Sequence, residues 1–256
     1  MSITLMSYNT LSCRKFDTQK FDFDSFVEVI RRHNADIVGL NEIRGKGMDE
    51  GYQAQAKLLA EKLGYYYYFA KAIDIDGVNP YGNAIISKFP ITMAETIKIP
   101  DPVSPAYDGY YETRCLLKAK IDVFGGIDVC VTHFGLNPDE QKNAVDVVLK
   151  NINDEKCILM GDFNVEPEDQ VLIHIRDRLY DTAGLFTRDL KSFPSDVPEV
   201  KIDYIFTSRD FVVLSADIPA DAVSDHRPHI AVIDEMLGKT VPPMPEEAMT
   251  MEWHTV

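Results

Sequence analysis

A carboxylate and a carboxamide stand two residues apart directly after a short apolar run. Residues 157–160 are Cys-Ile-Leu-Met, and Gly161, Asp162, Phe163 and Asn164 follow them. The apolar run predicts a buried strand. Because side chains alternate along an extended chain, Asp162 and Asn164 would share one face. A turn is the structural alternative, since Asp and Asn favour turns through local backbone hydrogen bonds.

Several other predicted strands also end or begin at a carboxylate, a carboxamide or an imidazole. In α/β sheets, ligands and catalytic groups gather at strand ends and in the loops beyond them. The chain lacks a nucleophile elbow, a P-loop and a Gly-rich dinucleotide-binding loop. Oxygen ligands with histidine are typical of Mg²⁺ or Mn²⁺ sites and of metal-assisted attack of water on phosphorus. The further members of this set are Asn9, Glu42, His133, Asp203, Asp225 and His226.

Each of these residues also has an ordinary structural interpretation. Glu42 suits a loop carboxylate, and Asp203 suits a surface acid at a strand start. Asp225 suits a turn or a helix cap, and His133 suits a hydrogen-bonded core histidine. The functional interpretation is favoured because matching residue types recur, in order, at one strand end after another.

Hydrophobic periodicity predicts a mixed, layered α/β domain built from strand–helix–strand units and hairpins. Three prolines lie in residues 99–112, a loop long enough to shape a substrate cleft. The aromatic run at residues 65–69 is interpreted as a strand packed on both faces rather than as a base-stacking platform. Helices are predicted at residues 23–33, 51–64, 138–151 and 167–178, and strands at residues 3–9, 35–40, 65–70, 82–91, near 91–97, 114–124, 127–134, 157–160, 203–208, 211–217 and 229–233.

Composition and charge restrict the possible partners and surroundings. The 26 Lys and Arg residues against 41 Asp and Glu residues give a formal charge of −15, which disfavours tight non-specific binding to duplex DNA. We see no secretory signal and no apolar stretch near the ~20 residues of a membrane-spanning helix, so no membrane insertion is expected. Four scattered cysteines favour buried thiols in a reducing, cytoplasmic setting. The predicted organisation is a catalytic domain at residues 1–237 and a Pro-containing tail at residues 238–256; the oligomeric state is left open.

Seven short motifs follow one another along the chain: "SYN", "LNEIR", "GNAIISKFPI", "THF", "GDFN", "DYIF" and "SDHRPH". In this order they resemble the endonuclease/exonuclease/phosphatase family, the deoxyribonuclease-I-like metal-dependent hydrolases. The resemblance covers roughly residues 3–234. It implies a four-layer α/β/β/α sandwich of two packed mixed β-sheets flanked by helices, with the site at one end of the paired sheets.

The same resemblance implies a metal-binding group. Glu42 would be the main carboxylate that binds Mg²⁺ or Mn²⁺, and Asp225 a carboxylate linked to the same metal. Asn9 would help to hold the metal, its bound water or the phosphate. In this chain Asn41 stands before Glu42 where the family usually has Gln, which leaves the hydrogen bonding of that amide open.

The resemblance also implies roles for residues that face the substrate. Asp162 would orient the attacking water, and Asn164 would contact the scissile phosphate. His226 would be the catalytic histidine, braced by Asp203. The remaining residues are His133 as a second histidine, Asn83 (where some members have Glu) as its brace or a phosphate contact, and Arg114 near the substrate phosphates.

The expected function is that of a metal-dependent phosphoester hydrolase, specifically a phosphodiesterase. The 99–112 loop carries no Lys or Arg, and its acids would repel a polyanion. A small, nucleotide or lipid phosphoester is therefore favoured as the substrate. The alternatives are an endonuclease or exonuclease acting on DNA or RNA, and a catalytically silent binding module on the same fold.

Overall fold

Two six-stranded sheets form the centre of the molecule. The computed structural model describes residues 1–236, so the predicted tail at residues 238–256 lies outside the described residues. In chain order the strands are β1 (Ser2–Asn9), β2 (Ile37–Arg44), β3 (Tyr66–Ile75), β4 (Asn79–Ser87), β5 (Ile91–Lys98), β6 (Cys115–Ile121), β7 (Ile127–His133), β8 (Cys157–Asp162), β9 (Tyr180–Asp181), β10 (Asp203–Thr207), β11 (Phe211–Asp217) and β12 (His229–Glu235).

Each sheet is mixed and contains one parallel pair near its middle. The first sheet has the order β11-β12-β1-β2-β4-β3, and the second has the order β5-β6-β7-β8-β10-β9. The parallel pairs are β1 with β2 and β7 with β8, while the other neighbours are antiparallel. Asn9, Glu42, His133 and Asp162 therefore all lie at or near carboxyl ends of paired parallel strands.

Alternation along the strands divides the apolar side chains between an inner and two outer layers. Leu5 and Val131 lie in the core between the sheets. Their chain neighbours Met6 and Cys130 face the opposite way, into the two outer cores. The sheets approach closely at Gly39, where an added Cβ would lie 2.6 Å from the Met160 sulfur. The predicted four-layer α/β/β/α sandwich is confirmed.

Helices cover the outer faces of both sheets. They are α1 (Phe23–Arg32), α2 (Gln55–Leu63), α3 (Pro138–Asn151) and α4 (Ile173–Arg178). Asp22 caps α1 by accepting from the Ser25 backbone N–H, and Asn137 with Glu140 forms a capping box on α3. The apolar faces of α1 and α2 pack on the first sheet, and those of α3 and α4 pack on the second.

Three predictions about individual elements need correction. The helix predicted at residues 51–64 begins only at Gln55, and the one predicted at residues 167–178 is a 3₁₀ turn followed by α4. The aromatic run is not packed on both faces: Tyr66 and Tyr67 are 52% and 44% exposed. Strand β3 lies at the edge of its sheet, which leaves these rings partly uncovered.

All four cysteines are buried and carry free thiols, as predicted. Residues 1–236 contain no helix that combines the length and the apolar character needed to cross a membrane.

Candidate active site

Strand pairing brings three predicted residues of the second sheet side by side. In the register of this sheet, His133 of β7 and Asp203 of β10 both pair with Asp162 of β8. Such pairing requires a glycine before Asp162. Gly161 has φ +151°, and a Cβ there would lie 1.9 Å from the Thr132 carbonyl oxygen. The close approach of the strands explains the glycine in "GDFN".

The side chain of Asn9 joins the two sheets at the site. Its Nδ2 donates to Glu42 Oε1 at 3.1 Å and to Asp162 Oδ2 at 3.0 Å. Its Oδ1 accepts from the Leu11 backbone N–H at 3.2 Å. Two carboxylates on one side and an N–H donor on the other determine this orientation of the amide. The Asn9 nitrogen thus bridges the two carboxylates, while the expected role of Asn9 in holding the metal, its bound water or the phosphate stays a prediction.

His226 and Asp203 form a buried hydrogen-bonded pair. His226 Nδ1 lies 2.8 Å from Asp203 Oδ2, which supports the predicted brace. The other ring nitrogen, Nε2, lies 3.6 Å from Asp162 Oδ2. Although burial opposes the charged form, the nearby carboxylates of Asp203 and Asp162 raise the pKa of His226 to about 10. The ring is therefore an imidazolium at neutral pH.

Asp162 is the point at which the other groups meet. Burial raises its pKa to about 7, despite the opposing effect of the charge on His226. Its Oδ1 accepts from the Asn164 backbone N–H at 3.0 Å. Its Oδ2 faces Asn9 and both histidines, with His133 Nε2 at 3.5 Å. A buried carboxyl whose pKa is close to neutrality suits acid–base work.

Arg114 contacts His133, whereas Asn83 does not serve as its brace. His133 Nδ1 lies 3.1 Å from Arg114 Nη1. The Asn83 amide donates to the Cys115 carbonyl at 3.0 Å, and its oxygen accepts from Asn41 at 2.9 Å. The buried Asn83 side chain therefore bonds to these groups and not to His133, and its predicted contact with the substrate phosphate stays a prediction.

Asn164 and Glu42 both adopt left-handed backbone conformations, with φ +51° and +59°. The Asn164 amide donates to the Phe134 carbonyl at 3.0 Å, which orients it at the end of β8. Glu42 lies where the pairing of β2 with β4 shifts register, so a bulge turns its carboxylate toward the site. Unusual φ values at residues other than glycine concentrate at functional sites.

Glu42 and Asp225 form the acidic part of the site. Burial raises the pKa of Glu42, and the negative charge of Asp225 raises it further, against the hydrogen bond from Asn9. Asp225 is half-buried and accepts from the Ser224 hydroxyl at 3.1 Å. Within residues 1–236, neither carboxylate forms an ion pair with a Lys or Arg.

The sequence analysis missed two groups that complete the site. Asn41 is buried, donates to the Thr132 carbonyl at 2.8 Å and accepts from the Asp162 N–H at 3.0 Å, so this shorter amide is fully bonded. Tyr81 lies beside Glu42 and Arg114; burial raises the pKa of its hydroxyl, and Glu42 adds to the effect. Only the position of Asn41 before Glu42 offered a signal, and none pointed to Tyr81.

A sequence model of the Endonuclease/Exonuclease/phosphatase family matches residues 6–226. The chain belongs to this family. The matched range lies within the predicted domain at residues 1–237, whose outer boundary stays a prediction. A search of curated proteins gives no match.

Solved structures of family proteins share the fold. A family protein from Beutenbergia cavernae DSM 12333 has a TM-score of 0.73 at 21% identity, covering 91% of this chain and 72% of that chain. A mannosyl-6-phosphatase from Bacteroides thetaiotaomicron VPI-5482 has a TM-score of 0.71 at 19% identity, covering 91% and 99%. ANGEL2, a 2′,3′-cyclic phosphatase, has a TM-score of 0.64 at 18% identity, covering 93% and 96%.

Two groups of side chains in this family member offer ligand atoms for a cation. Ligand atoms of Asp162, Asp203 and His226 lie within 4.8 Å of one another. These three already form hydrogen bonds with one another or with Asn9, so binding a cation there would break the His226–Asp203 pair. Glu42 and Asp225 instead repel each other; the charges of Arg114 and His226 oppose this effect on Glu42, but among the described residues no Lys or Arg forms an ion pair with either carboxylate. That pair fits a hard divalent cation better.

Proposed function

We propose that the protein is a divalent-metal-dependent phosphoester hydrolase, acting as a phosphodiesterase on a small, nucleotide or lipid ester. The observation that carries this proposal is the surroundings of Asp162 Oδ2. It accepts from Asn9, faces both histidines, and shares the Asn9 amide with Glu42. One point is then surrounded by a carboxylate that can orient water, by imidazoles that can stabilise charge on the phosphate, and by an acidic pair that can bind a cation.

Glu42 and Asp225 would hold Mg²⁺ or Mn²⁺, which would supply positive charge against the phosphate oxygens. Asp162 orients the attacking water and accepts a proton from it, because its pKa of about 7 lies close to the working pH. Asn9 keeps Asp162 and Glu42 at a constant separation by donating to both.

His226 and Asn164 act on the phosphate and the leaving oxygen. The imidazolium of His226, held by Asp203, stabilises the developing negative charge and gives its proton to the leaving oxygen. The Asn164 amide, oriented by the Phe134 carbonyl, is placed to contact the phosphate. Removing one charge-stabilising group of this kind costs about 10²–10³ in turnover.

The charges near the site support a small substrate over a nucleic acid. Arg114 pairs with Glu112 at 2.5 Å, Arg188 with Asp217 at 3.6 Å, and Lys191 with Asp189 at 3.7 Å. Cations that are already paired with carboxylates attract a polyanion weakly. We therefore rank a nuclease function second.

A cavity of about 500 Å³ has the size of a small-ligand site. Its lining includes Lys201, which donates to the Asp203 backbone carbonyl at 3.2 Å, and the apolar side chains of Phe186 and Pro167. We propose that part of a small-molecule ester binds there. The structures of the mannosyl-6-phosphatase and of the 2′,3′-cyclic phosphatase give examples of such esters on this fold.

A substrate panel with Mg²⁺ or Mn²⁺ tests the proposal. It contains bis(p-nitrophenyl) phosphate, a hexose 6-phosphate, a 2′,3′-cyclic nucleotide, a choline phosphodiester and supercoiled plasmid at low salt. We expect hydrolysis of a small ester that Glu42→Gln lowers by about 10²-fold or more. Glu61→Gln, on the exposed face of α2, is the matched control and should retain the wild-type rate. Plasmid nicking by the wild type without hydrolysis of any small ester would reverse the ranking.

The non-enzyme alternative predicts a different metal titration. Calorimetry with Mg²⁺ or Mn²⁺ should show one site that Glu42→Gln abolishes and Glu61→Gln keeps. A binding module without catalysis needs no such site. We also propose a cytoplasmic location, which the four buried free thiols support.

A further inference from the structure

The two histidines of the site contact groups of opposite charge through the same ring atom. His226 Nδ1 lies against the Asp203 carboxylate at 2.8 Å. His133 Nδ1 lies against the Arg114 guanidinium at 3.1 Å. The Nε2 atoms of both rings face Asp162 Oδ2, at 3.6 and 3.5 Å. The two imidazoles thus share a target but differ in the partner behind them.

The partner determines where each ring carries its proton. A guanidinium has N–H donors and no acceptor, so His133 Nδ1 must present its lone pair to Arg114. The single proton of the neutral ring is then on Nε2, directed toward Asp162. For His226 the carboxylate accepts from Nδ1–H, and the ring can carry a second proton on Nε2.

Arg114 is held in place and is not free to turn toward a substrate. Its guanidinium contacts Glu112 at 2.5 Å, and both side chains are nearly buried. The Glu112 backbone N–H donates to Glu140 at 3.1 Å, and the Tyr110 hydroxyl donates to the Glu112 carboxylate at 3.3 Å. These contacts tie Arg114 to the first turn of α3 and to the 99–112 loop.

We propose that Arg114 is a positioning residue that keeps His133 in its neutral Nε2–H tautomer, so that His133 donates a hydrogen bond during the reaction and transfers no proton. This inference rests on the proposed function. It replaces the sequence-based role of Arg114 as a phosphate contact. It also gives His133, the second histidine of the sequence analysis, a chemical role different from that of His226.

The proton accounting of the reaction follows from this assignment. The attacking water forms the new P–O bond and gives a proton to Asp162. The ester P–O bond breaks, and its oxygen takes the Nε2 proton of His226. His133 begins and ends neutral, because loss of its Nε2 proton would create an imidazolate beside a carboxylate. The charged groups around His133 are Arg114, Glu112, Asp162 and His226; burial, Arg114 and His226 lower its pKa well below the ordinary range.

Nuclear magnetic resonance of ¹⁵N-histidine-labelled protein, with EDTA present, tests the tautomer without any substrate. The His133 signals are assigned by their loss in His133→Gln. We expect a protonated Nε2 and an unprotonated Nδ1 throughout pH 5.5–8. A protonated Nδ1, or titration to the imidazolium near pH 6.5, would overturn the proposal. Because no activity is needed, this readout decides the inference even if the substrate panel shows no hydrolysis.

Substitutions of both histidines test the role in catalysis. A glutamine amide nitrogen replaces the Nε2–H donor, whereas an asparagine amide is too short. We expect His133→Gln to keep activity within about 10-fold of wild type and His133→Asn to lose about 10²-fold. His226→Gln should lose 10²-fold or more, because it removes a transferable proton. Equal loss in the two His133 variants would contradict the donor role.

Variants of Arg114 test the positioning itself. Arg114→Met has no donor and releases the Nδ1 atom, so we expect His133 to titrate in the spectrum and to add an acid limb to the pH–rate profile. Arg114→Lys, which can still donate to Nδ1, should keep the neutral tautomer. Arg31→Met, at an exposed site on α1, is the control and should match wild type in both measurements. An unchanged His133 tautomer in Arg114→Met would refute the assignment.

Discussion

At the scale of residues, the site depends on charges that are buried beside one another. Asp162 and His226 share a contact, yet burial pushes both toward their neutral forms. The Asp203 carboxylate opposes the effect of burial on His226 by stabilising the imidazolium, so that ring stays charged. Asp162 has Asn9 and a backbone N–H as its main donors. His226 as the acid and Asp162 as the base therefore differ in pKa, although His226 Nε2 lies only 3.6 Å from Asp162 Oδ2.

Replacement of Asp203 by Asn tests the origin of the His226 charge. Against the effect of burial, Asp203 makes the largest contribution, with Asp162, to raising the pKa of His226 to about 10, so the imidazolium form persists well above neutral pH in the wild type. Without the carboxylate, the pKa falls and the alkaline limb of the pH–rate profile moves to lower pH. At pH 8 we expect turnover to fall about 10²-fold or more. The control is Asp146→Asn on α3, and an unmoved alkaline limb would contradict the assignment.

Replacement of Asp162 by Asn tests the cost of the buried carboxylate to stability. Its pKa is about 7 in the folded protein and near 3.8 when exposed, so the folded state retains a proton that the unfolded state releases. Wild-type stability should therefore fall as pH rises from about 4 to 7, whereas an amide there has no such cost. As pH rises through this window, the melting temperature of Asp162→Asn in EDTA should rise relative to that of the wild type. A difference that is independent of pH would exclude the raised pKa.

At the scale of elements, the site forms where paired strands end. The two parallel pairs bring Asn9, Glu42, His133 and Asp162 to one edge, and β10 begins at Asp203 beside them. The side chain of Asn41 crosses from the first sheet to the second and bonds to β7 and β8. The separation of the catalytic groups thus depends on strand register and on hydrogen bonds between sheets.

Replacement of Gly161 by Ala should break this register. The new Cβ would lie 1.9 Å from the Thr132 carbonyl oxygen, so β7 and β8 must separate. We expect a loss of about 3 kcal/mol or more in the free energy of unfolding, measured by urea titration, together with loss of activity. Gly77→Ala is the matched control, because Gly77 has φ +75° but its new Cβ would meet no atom within 4 Å. It should cost only about 1 kcal/mol. Equal losses for the two variants would show that backbone strain, and not the strand contact, dominates.

At the scale of the whole molecule, net charge acts on the choice of substrate. The chain carries a formal charge of −15, and several cations near the site are already paired. Long-range repulsion opposes the approach of a polyanion but has little effect on a small ester. The molecule as a whole therefore favours the small substrate that the cavity also suits.

Binding to fluorescent duplex DNA tests this argument. We expect a dissociation constant weaker than about 10⁻⁴ M at physiological salt, the weak end of ordinary non-specific binding. Asp101→Lys combined with Asp108→Lys, on the exposed 99–112 loop, should strengthen binding measurably in fluorescence anisotropy. Saturable micromolar binding by the wild type would contradict the role assigned to net charge.

Much of the site can be predicted from short stretches of sequence, because the end of each strand is a local feature. Apolar runs that stop at Glu42, His133 and Asp162 can be predicted without any partner strand. The roles of Asn9 and Asn83 could not be predicted in this way. The orientation of an amide depends on donors and acceptors from strands that are distant in sequence, such as Glu42 and Asp162 around Asn9. The exposed face of β3 escaped prediction for the same reason, because strand order decides which strand lies at an edge.

The sequence by itself determined the family, the two-sheet architecture and the types of residue that gather at the strand ends. The family and the two-sheet architecture follow from the resemblance that motifs of a few adjacent residues carry, whereas periodicity alone indicates a layered α/β domain. Only the tertiary structure decided that Arg114, and not Asn83, lies behind His133. Hydrogen bonds act over about 3 Å, and the folding of distant strands brings Arg114 to His133 and Asp203 to His226 at that distance.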